Sequence, residues 1–140
     1  MDNEQLRSLI AGVNKVFYDL IYRDPWLKVV FQGRRQAHIE AQQTDFMLGA
    51  FGGPKTYSGR MPSDAHPHIF VDESMWQLRE TFLRQAFAET RLPEELQEKW
   101  LRIDEAFKPS IVKRSVADCK KRYVTDAIIA PPDPARRNYS

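Results

Sequence analysis

The sequence predicts an all-α protein, and three observations lead to that class. Apolar residues recur at spacings of three and four along several segments of the 140-residue chain. Short stretches with Pro, Gly or Asp separate these segments, and such residues commonly start and stop helices. No stretch alternates apolar and polar residues for long enough to be a strand. About five or six helices with short connections are therefore expected.

The N-terminal third of the chain predicts two long helices with a short one between them. An apolar stripe over residues 6–21 predicts the first, with Asp2 or Asn3 as its N-cap. An Asp-Pro pair ends it, and "PWLKVVF" predicts a short helix that begins with its proline and ends at Gly33. A third helix is predicted from residue 35 to residue 51, where a Gly-Gly-Pro turn follows.

Prolines and one aspartate divide the rest of the chain. Pro62 is a possible start for a short helix, and Asp72 is the predicted N-cap of a long one. Pro93 begins the next helix, which Pro109 is expected to kink or divide. Apolar residues between positions 111 and 128 predict one further helical segment.

Composition restricts the class of protein. The length fits one domain, predicted over residues 1–129, and the Pro-rich residues 130–140 predict a disordered tail. No apolar run is long enough for a membrane span, and a net charge of +2 does not indicate nucleic acid. Cys119 is the only cysteine and no signal peptide is recognised, so a cytoplasmic location is expected.

The common signatures of nucleotide and zinc sites are absent from the sequence. There is no phosphate-binding glycine loop, no dinucleotide fingerprint and no HExxH. The histidines do not follow the ligand spacing of a zinc finger. A different kind of site has to be considered.

Three features indicate a pocket for an organic cofactor. Tyr18 lies on or near the apolar stripe of the first helix, and Gln42 and Gln43 lie beside apolar residues of the third. His66 follows the glycine-rich loop, among the apolar and aromatic residues Tyr57, Met61, Phe70 and Trp76. One imidazole opposite a few hydrogen-bond donors suits a haem. A buried tyrosine or glutamine is more often a satisfied core group, so the residues alone leave haem as one candidate among several.

Four stretches of the sequence resemble the truncated haemoglobins. They are "FYDLIYRDPWLKVVF", "QTDFMLGAFGGPKTYSGR", "AHPHIF" and "LPEEL". Their aromatic residues, glutamine and histidine keep the family's order and separation without a gap, over roughly residues 13–112. The likeness is strongest to group 1, which includes cyanobacterial and protozoan forms. It implies a two-on-two helical sandwich around haem b, which is iron protoporphyrin IX.

The resemblance also implies a role for individual residues. His66 resembles the proximal ligand of the haem iron, and Phe31 the phenylalanine that packs flat on the porphyrin. Tyr18 resembles the distal tyrosine that donates to the bound gas, with Gln43, or Gln42, as a second donor. The remaining implied positions are Ile39 in place of a distal histidine, the wall residues Phe46, Tyr57, Met61, Phe70 and Trp76, and His38 or Arg35 at the propionates.

The chain departs from the family pattern at a few positions. Pro67 follows His66 directly, so the iron-binding segment is expected to be more extended than usual. His68 is expected at the edge of the haem or in solvent. Arg79 stands where the family has an apolar residue facing the distal pocket, so either its helix is rotated or its side chain reaches outward.

The resemblance implies a bacterial globin that binds O2, NO or CO for gas binding, transport or NO handling. One alternative is an NO dioxygenase, which would need a separate reductase as partner because no flavin or nicotinamide motif is present. A second alternative is a helical interaction module that has lost haem.

Overall fold

The computed structural model describes residues 1–53, 68–120 and 127–131. Within these ranges the chain forms four α-helices, two 3-10 helices and no strand, so the predicted all-α class is confirmed. The helices are α1 (Asn3–Arg23), α2 (Gln36–Ala50), α3 (Glu73–Thr90) and α4 (Glu94–Ile111). The short helix expected from Pro62 falls outside the described residues.

Local side-chain chemistry fixes both ends of α1. The Asp2 carboxylate accepts from the Gln5 N–H at 2.7 Å, and the Gln5 side chain accepts from the Asp2 N–H at 3.1 Å. This reciprocal pair satisfies two of the free donors at a helix N-terminus. At the other end Asp24 accepts from the N–H groups of Trp26 and Leu27, which leads into the 3-10 helix Leu27–Phe31.

Helices α2 and α3 also begin and end close to their predicted bounds. Gly33 has a φ of 79°, a conformation that favours glycine, and α2 begins three residues later. The Lys99 ammonium donates to the Phe51 carbonyl at 3.0 Å, where α2 ends. Asp72 caps α3 as expected, because its carboxylate accepts from the Met75 N–H at 2.9 Å.

One alternative expected for Pro109, that it divides its helix, is wrong, because α4 continues to Ile111. The proline lies in the last turn, where little helix remains for it to displace. The helical segment expected from residue 111 onwards does not form in residues 112–120 or 127–131. Only the 3-10 turn Val116–Asp118 is helical there, because neighbouring backbone of this part pairs with residues 69–71 instead.

Extended backbone at residues 68–71 is held from both sides. Ile69 pairs with Ile129, and Val71 pairs with Val112. The Phe70 N–H donates to the Ile129 carbonyl at 2.7 Å, and the Ile129 N–H donates to the His68 carbonyl at 2.9 Å. These bonds tie residues 127–131, called the C-terminal strap below, to the segment that follows position 66.

The strap is also fixed to the N-terminal half. The Trp26 indole N–H donates to the Pro131 carbonyl at 3.1 Å, and both residues are buried. The predicted tail began at residue 130; residues 132–140 lie outside the described part of the chain.

Helix α1 is central to the packing, because it lies against both α2 and α3. A buried hydrogen bond of 3.0 Å joins the Asn14 amide on α1 to the Thr44 hydroxyl on α2. Helix α4 joins the core through Trp100, whose ring lies 5.9 Å from Phe51 and 5.6 Å from Phe87, edge to face. None of the described helices is long and apolar enough to cross a membrane.

Replacing Ile129 by proline tests the strap. The substitution removes the N–H that bonds the His68 carbonyl, so we expect the free energy of unfolding to fall by about 1–3 kcal/mol, measured by urea denaturation. Ala127→Pro, at an exposed strap position, is the matched control. Equal losses in the two variants would contradict the pairing.

Candidate functional site

A cavity of about 160 Å³ lies between the four helices. Many of its lining side chains are aliphatic or aromatic, and every helix contributes to its wall. The polar members are few: Asn14, Tyr18, Gln43, Arg79 and Asp104. The apolar members include Phe17, Ile21, Leu27, Val30, Phe31, Phe46, Met47, Val71, Met75, Trp76, Trp100, Phe107 and Ile111.

Five of the sequence-predicted site residues meet at this cavity. They come from four different elements of the fold and are Tyr18, Phe31, Gln43, Phe46 and Trp76. Three of them are fixed by ring contacts that cross between elements. The Tyr18 ring lies 5.7 Å from that of Phe31, edge to face, and the Phe46 ring lies 5.5 Å from that of Phe107 on α4.

Four other predicted site residues lie away from the lining of the cavity. His38 is exposed at the start of α2, and Ile39 is buried in the core with only 6% of its surface accessible. Gln42 and Phe70 are half-buried. The structure therefore brings Gln43, not its neighbour, to the cavity wall.

The predicted iron ligand His66, and the wall residues Tyr57 and Met61, lie outside the described residues. Among the residues that are described, no three His, Cys, Asp or Glu side chains cluster as a metal site would require. His68, two positions further on, is buried with 3% of its surface accessible. The expectation that His68 could lie in solvent is wrong, because the strap and residues 111–113 cover this segment.

The Tyr18 hydroxyl has no hydrogen-bond partner among the described residues. The Tyr18 side chain is buried, with 6% of the surface accessible, and it forms part of the cavity wall. Burial raises the pKa of the phenol well above its ordinary value, although the nearby Arg79 guanidinium opposes that rise. The hydroxyl therefore stays protonated and is free to donate to a ligand.

Arg79 lies in the cavity wall, so the alternative in which its side chain reaches outward is wrong. Its Nη1 donates to Asp104 at 2.8 Å and to Glu80 at 2.9 Å, and its Nη2 donates to Asp104 at 3.3 Å. Burial alone would lower the pKa of the guanidinium, but the charges and hydrogen bonds of Asp104 and Glu80 raise it above its ordinary value. The group remains a cation.

Sequence reasoning missed several residues of the cavity, of which Asp104 and Asn14 are the polar ones. The sequence does contain a signal for Asp104: it stands between Trp100 and Phe107 on the apolar stripe of α4. A charged residue on an apolar stripe requires a buried partner, and Arg79 is the corresponding charge on the stripe of α3. Considered together, the two charged residues on apolar stripes would have predicted an ion pair between Arg79 and Asp104.

Comparison with known proteins decides the family. Residues 5–112 match the family of bacterial-like globins, which are truncated globins. The chain belongs to that family. The resemblance stated from the sequence is therefore confirmed at the level of the family, and all four helices lie within or almost within the matched range. No curated protein matches the chain in sequence.

Membership in the globin family implies haem binding, and the chemistry of the cavity fits that group. A porphyrin requires apolar and aromatic surface, which the wall supplies from every helix. A polarised gas held by that group would be stabilised by a hydrogen-bond donor, and the buried residue Tyr18 has a hydroxyl with no partner in the described part of the protein.

Glu80 makes the stability of this globin depend on pH. Burial raises the pKa of its carboxyl to about 7, against the opposing charge of Arg79. Between about pH 4.5 and pH 7 the unfolded chain loses this proton while the folded chain keeps it, so the free energy of unfolding falls as pH rises. Glu80→Gln has no carboxyl to bind this proton. Its free energy of unfolding, measured by urea denaturation, should therefore rise relative to that of wild type as the pH increases from about 5 to 8. Glu89→Gln, on the exposed face of α3, should show no such trend.

Proposed function

We propose that this globin binds haem b in the cavity and uses it to bind a diatomic gas. When bound, haem supplies a reduced iron that binds O2, NO or CO. The single observation that carries the proposal is the Tyr18 hydroxyl, a buried donor without a protein partner among the described residues, in the wall of an apolar cavity. Such a donor is available to an acceptor that enters the cavity.

The cavity residues have distinct tasks in this proposal. His66 would hold the haem, in the role that the family's proximal histidine has. Tyr18 would donate a hydrogen bond to the gas, and the Gln43 amide, which also reaches the wall, would be a second donor. The apolar side chains around them exclude water, which strengthens each of these polar contacts.

Phe31 has a position suited to the face of a porphyrin. Its ring is fixed from two directions, by Tyr18 at 5.7 Å and by the stacked ring of Tyr22 at 5.6 Å. The Tyr22 hydroxyl in turn donates to the Arg34 carbonyl at 3.1 Å. A flat ligand placed against Phe31 would meet a wall that is already ordered.

Hemin titration tests the proposal. We expect wild-type protein to take up one hemin per chain with a strong visible absorption band, and His66→Ala to lose that band because the iron loses its ligand. His68→Ala is the matched control, since its imidazole is the nearest other one in the sequence. If His66→Ala kept the band and His68→Ala lost it, the assignment of the ligand would be wrong. If wild-type protein took up no hemin, haem binding itself would be refuted.

Tyr18→Phe tests the distal donor. The substitution removes only a hydroxyl, so O2 should dissociate about five- to tenfold faster, which corresponds to one hydrogen bond of about 1 kcal/mol. The free energy of unfolding of the haem-free protein should change little, because the hydroxyl has no partner among the described residues. Stopped-flow measurement of O2 release gives the rate. An unchanged rate would move the donor to Gln43.

A further inference from the structure

Arg79 is the one fixed cation in the described cavity wall, and the proposed gas binding does not use it. Its guanidinium carbon lies 4.7 Å from the centre of the Trp76 ring and 5.3 Å from that of Phe17. Contacts with two aromatic faces hold a cation in position. Its side chain retains 26% of its accessible surface while it lines the cavity.

The hydrogen bonds of Arg79 leave two of its donors unused. A guanidinium has five N–H groups. Three of them are used: two on Nη1, toward Asp104 and Glu80, and one on Nη2, toward Asp104. The Nε–H and the second Nη2–H have no acceptor among the described residues.

Asp104 holds the guanidinium by a two-point contact. Its two oxygens accept from Nη2 and Nη1 at 3.3 Å and 2.8 Å, and only 9% of its side-chain surface is accessible. A planar fork on a carboxylate has a fixed orientation. Because the pair is built across α3 and α4, the free N–H groups of Arg79 keep their direction whether or not a ligand is present.

Tyr18 and Arg79 together give the cavity the character of a donor site. Both residues line the same cavity, Tyr18 from α1 and Arg79 from α3. Both side chains are protonated at neutral pH. The Tyr18 O–H, and the Nε–H and second Nη2–H of Arg79, have no acceptor in the described part of the protein. Ordered donors of this kind stabilise negative charge on whatever lies between them.

We propose that Arg79 is a specificity-determining residue of the ligand cavity, positioned by Asp104, and that it favours ligands that carry negative charge over neutral ones. This inference rests on the proposed haem function. The favoured class comprises small anions and strongly polarised gases such as O2. CO, which accepts hydrogen bonds weakly, gains little from Arg79.

Fluoride and CO are the two probes of the experiment, and haem-loaded protein is the sample. The principal variant is Arg79→Leu with Asp104→Leu, because removing both charges avoids leaving the Asp104 carboxylate buried without its partner. The Glu80 carboxyl also loses Arg79, but burial raises its pKa to about 7, so it can become neutral by keeping a proton. Arg84→Leu, an exposed arginine on the same helix, is the matched control. Fluoride binding to the ferric protein and CO binding to the ferrous protein are both followed by visible absorption at one fixed pH. The stretching frequency of bound CO is read by infrared spectroscopy.

We expect the double variant to bind fluoride at least tenfold more weakly, while its affinity for CO changes less than twofold. The CO stretch should move to higher frequency, because the N–H donors of Arg79 that polarise the ligand are lost. Arg84→Leu should leave all three readouts unchanged. If the double variant does not fold, Arg79→Lys carries the test: it keeps the charge but loses the two-point contact, and should weaken fluoride binding by about threefold.

Two results would refute the inference in distinguishable ways. If wild-type protein takes up hemin, and the variants at Arg79 bind fluoride as tightly as wild type with an unshifted CO stretch, Arg79 does not contact the ligand and the haem function stands. If wild-type protein takes up no hemin, the proposed function fails, and this inference fails with it.

Discussion

The contact on which the cavity depends is the ion pair between Arg79 and Asp104. It places two charges on the apolar faces of α3 and α4, where either one alone would cost several kcal/mol. Each charge therefore requires the other, and the requirement fixes how the two helices meet. Trp76 and Phe17 cover the guanidinium from the sides, so aromatic packing and charge pairing specify the same arrangement.

Among the polar groups at the cavity, the Tyr18 hydroxyl differs from those that are paired within the protein. Asp104 and Thr44 accept hydrogen bonds from Arg79 and Asn14, while the Tyr18 hydroxyl has no partner in the described part of the chain. A hydroxyl without a protein partner in a cavity wall is available to a ligand with an acceptor atom. Membership of the bacterial-like globins agrees with this, since the family implies haem and a gas ligand.

The features that the sequence predicted well depend on residues that are close together in the chain. The caps at Asp2 and Asp72 act on residues three positions away, and the starts of α1 and α3 followed from them. The errors concern contacts between distant parts of the chain. Residues 127–131 pair with residues 68–71, and Lys113 donates to the Val71 carbonyl, so apolar residues with helical spacing became extended. Arg79 was judged alone, although its partner lies 25 residues further on. The fold and five residues that line the cavity were thus accessible from pattern and resemblance, whereas the pairing of Arg79 with Asp104 was missed although both charges stand on apolar stripes.

A crystal structure of the protein loaded with hemin would test the central claim most directly. We expect the porphyrin to occupy the cavity between α1 and α3, with His66 on its iron and the Tyr18 hydroxyl on the opposite face. A hemin bound elsewhere on the surface, or a cavity that holds only water beside Tyr18, would contradict the proposed site.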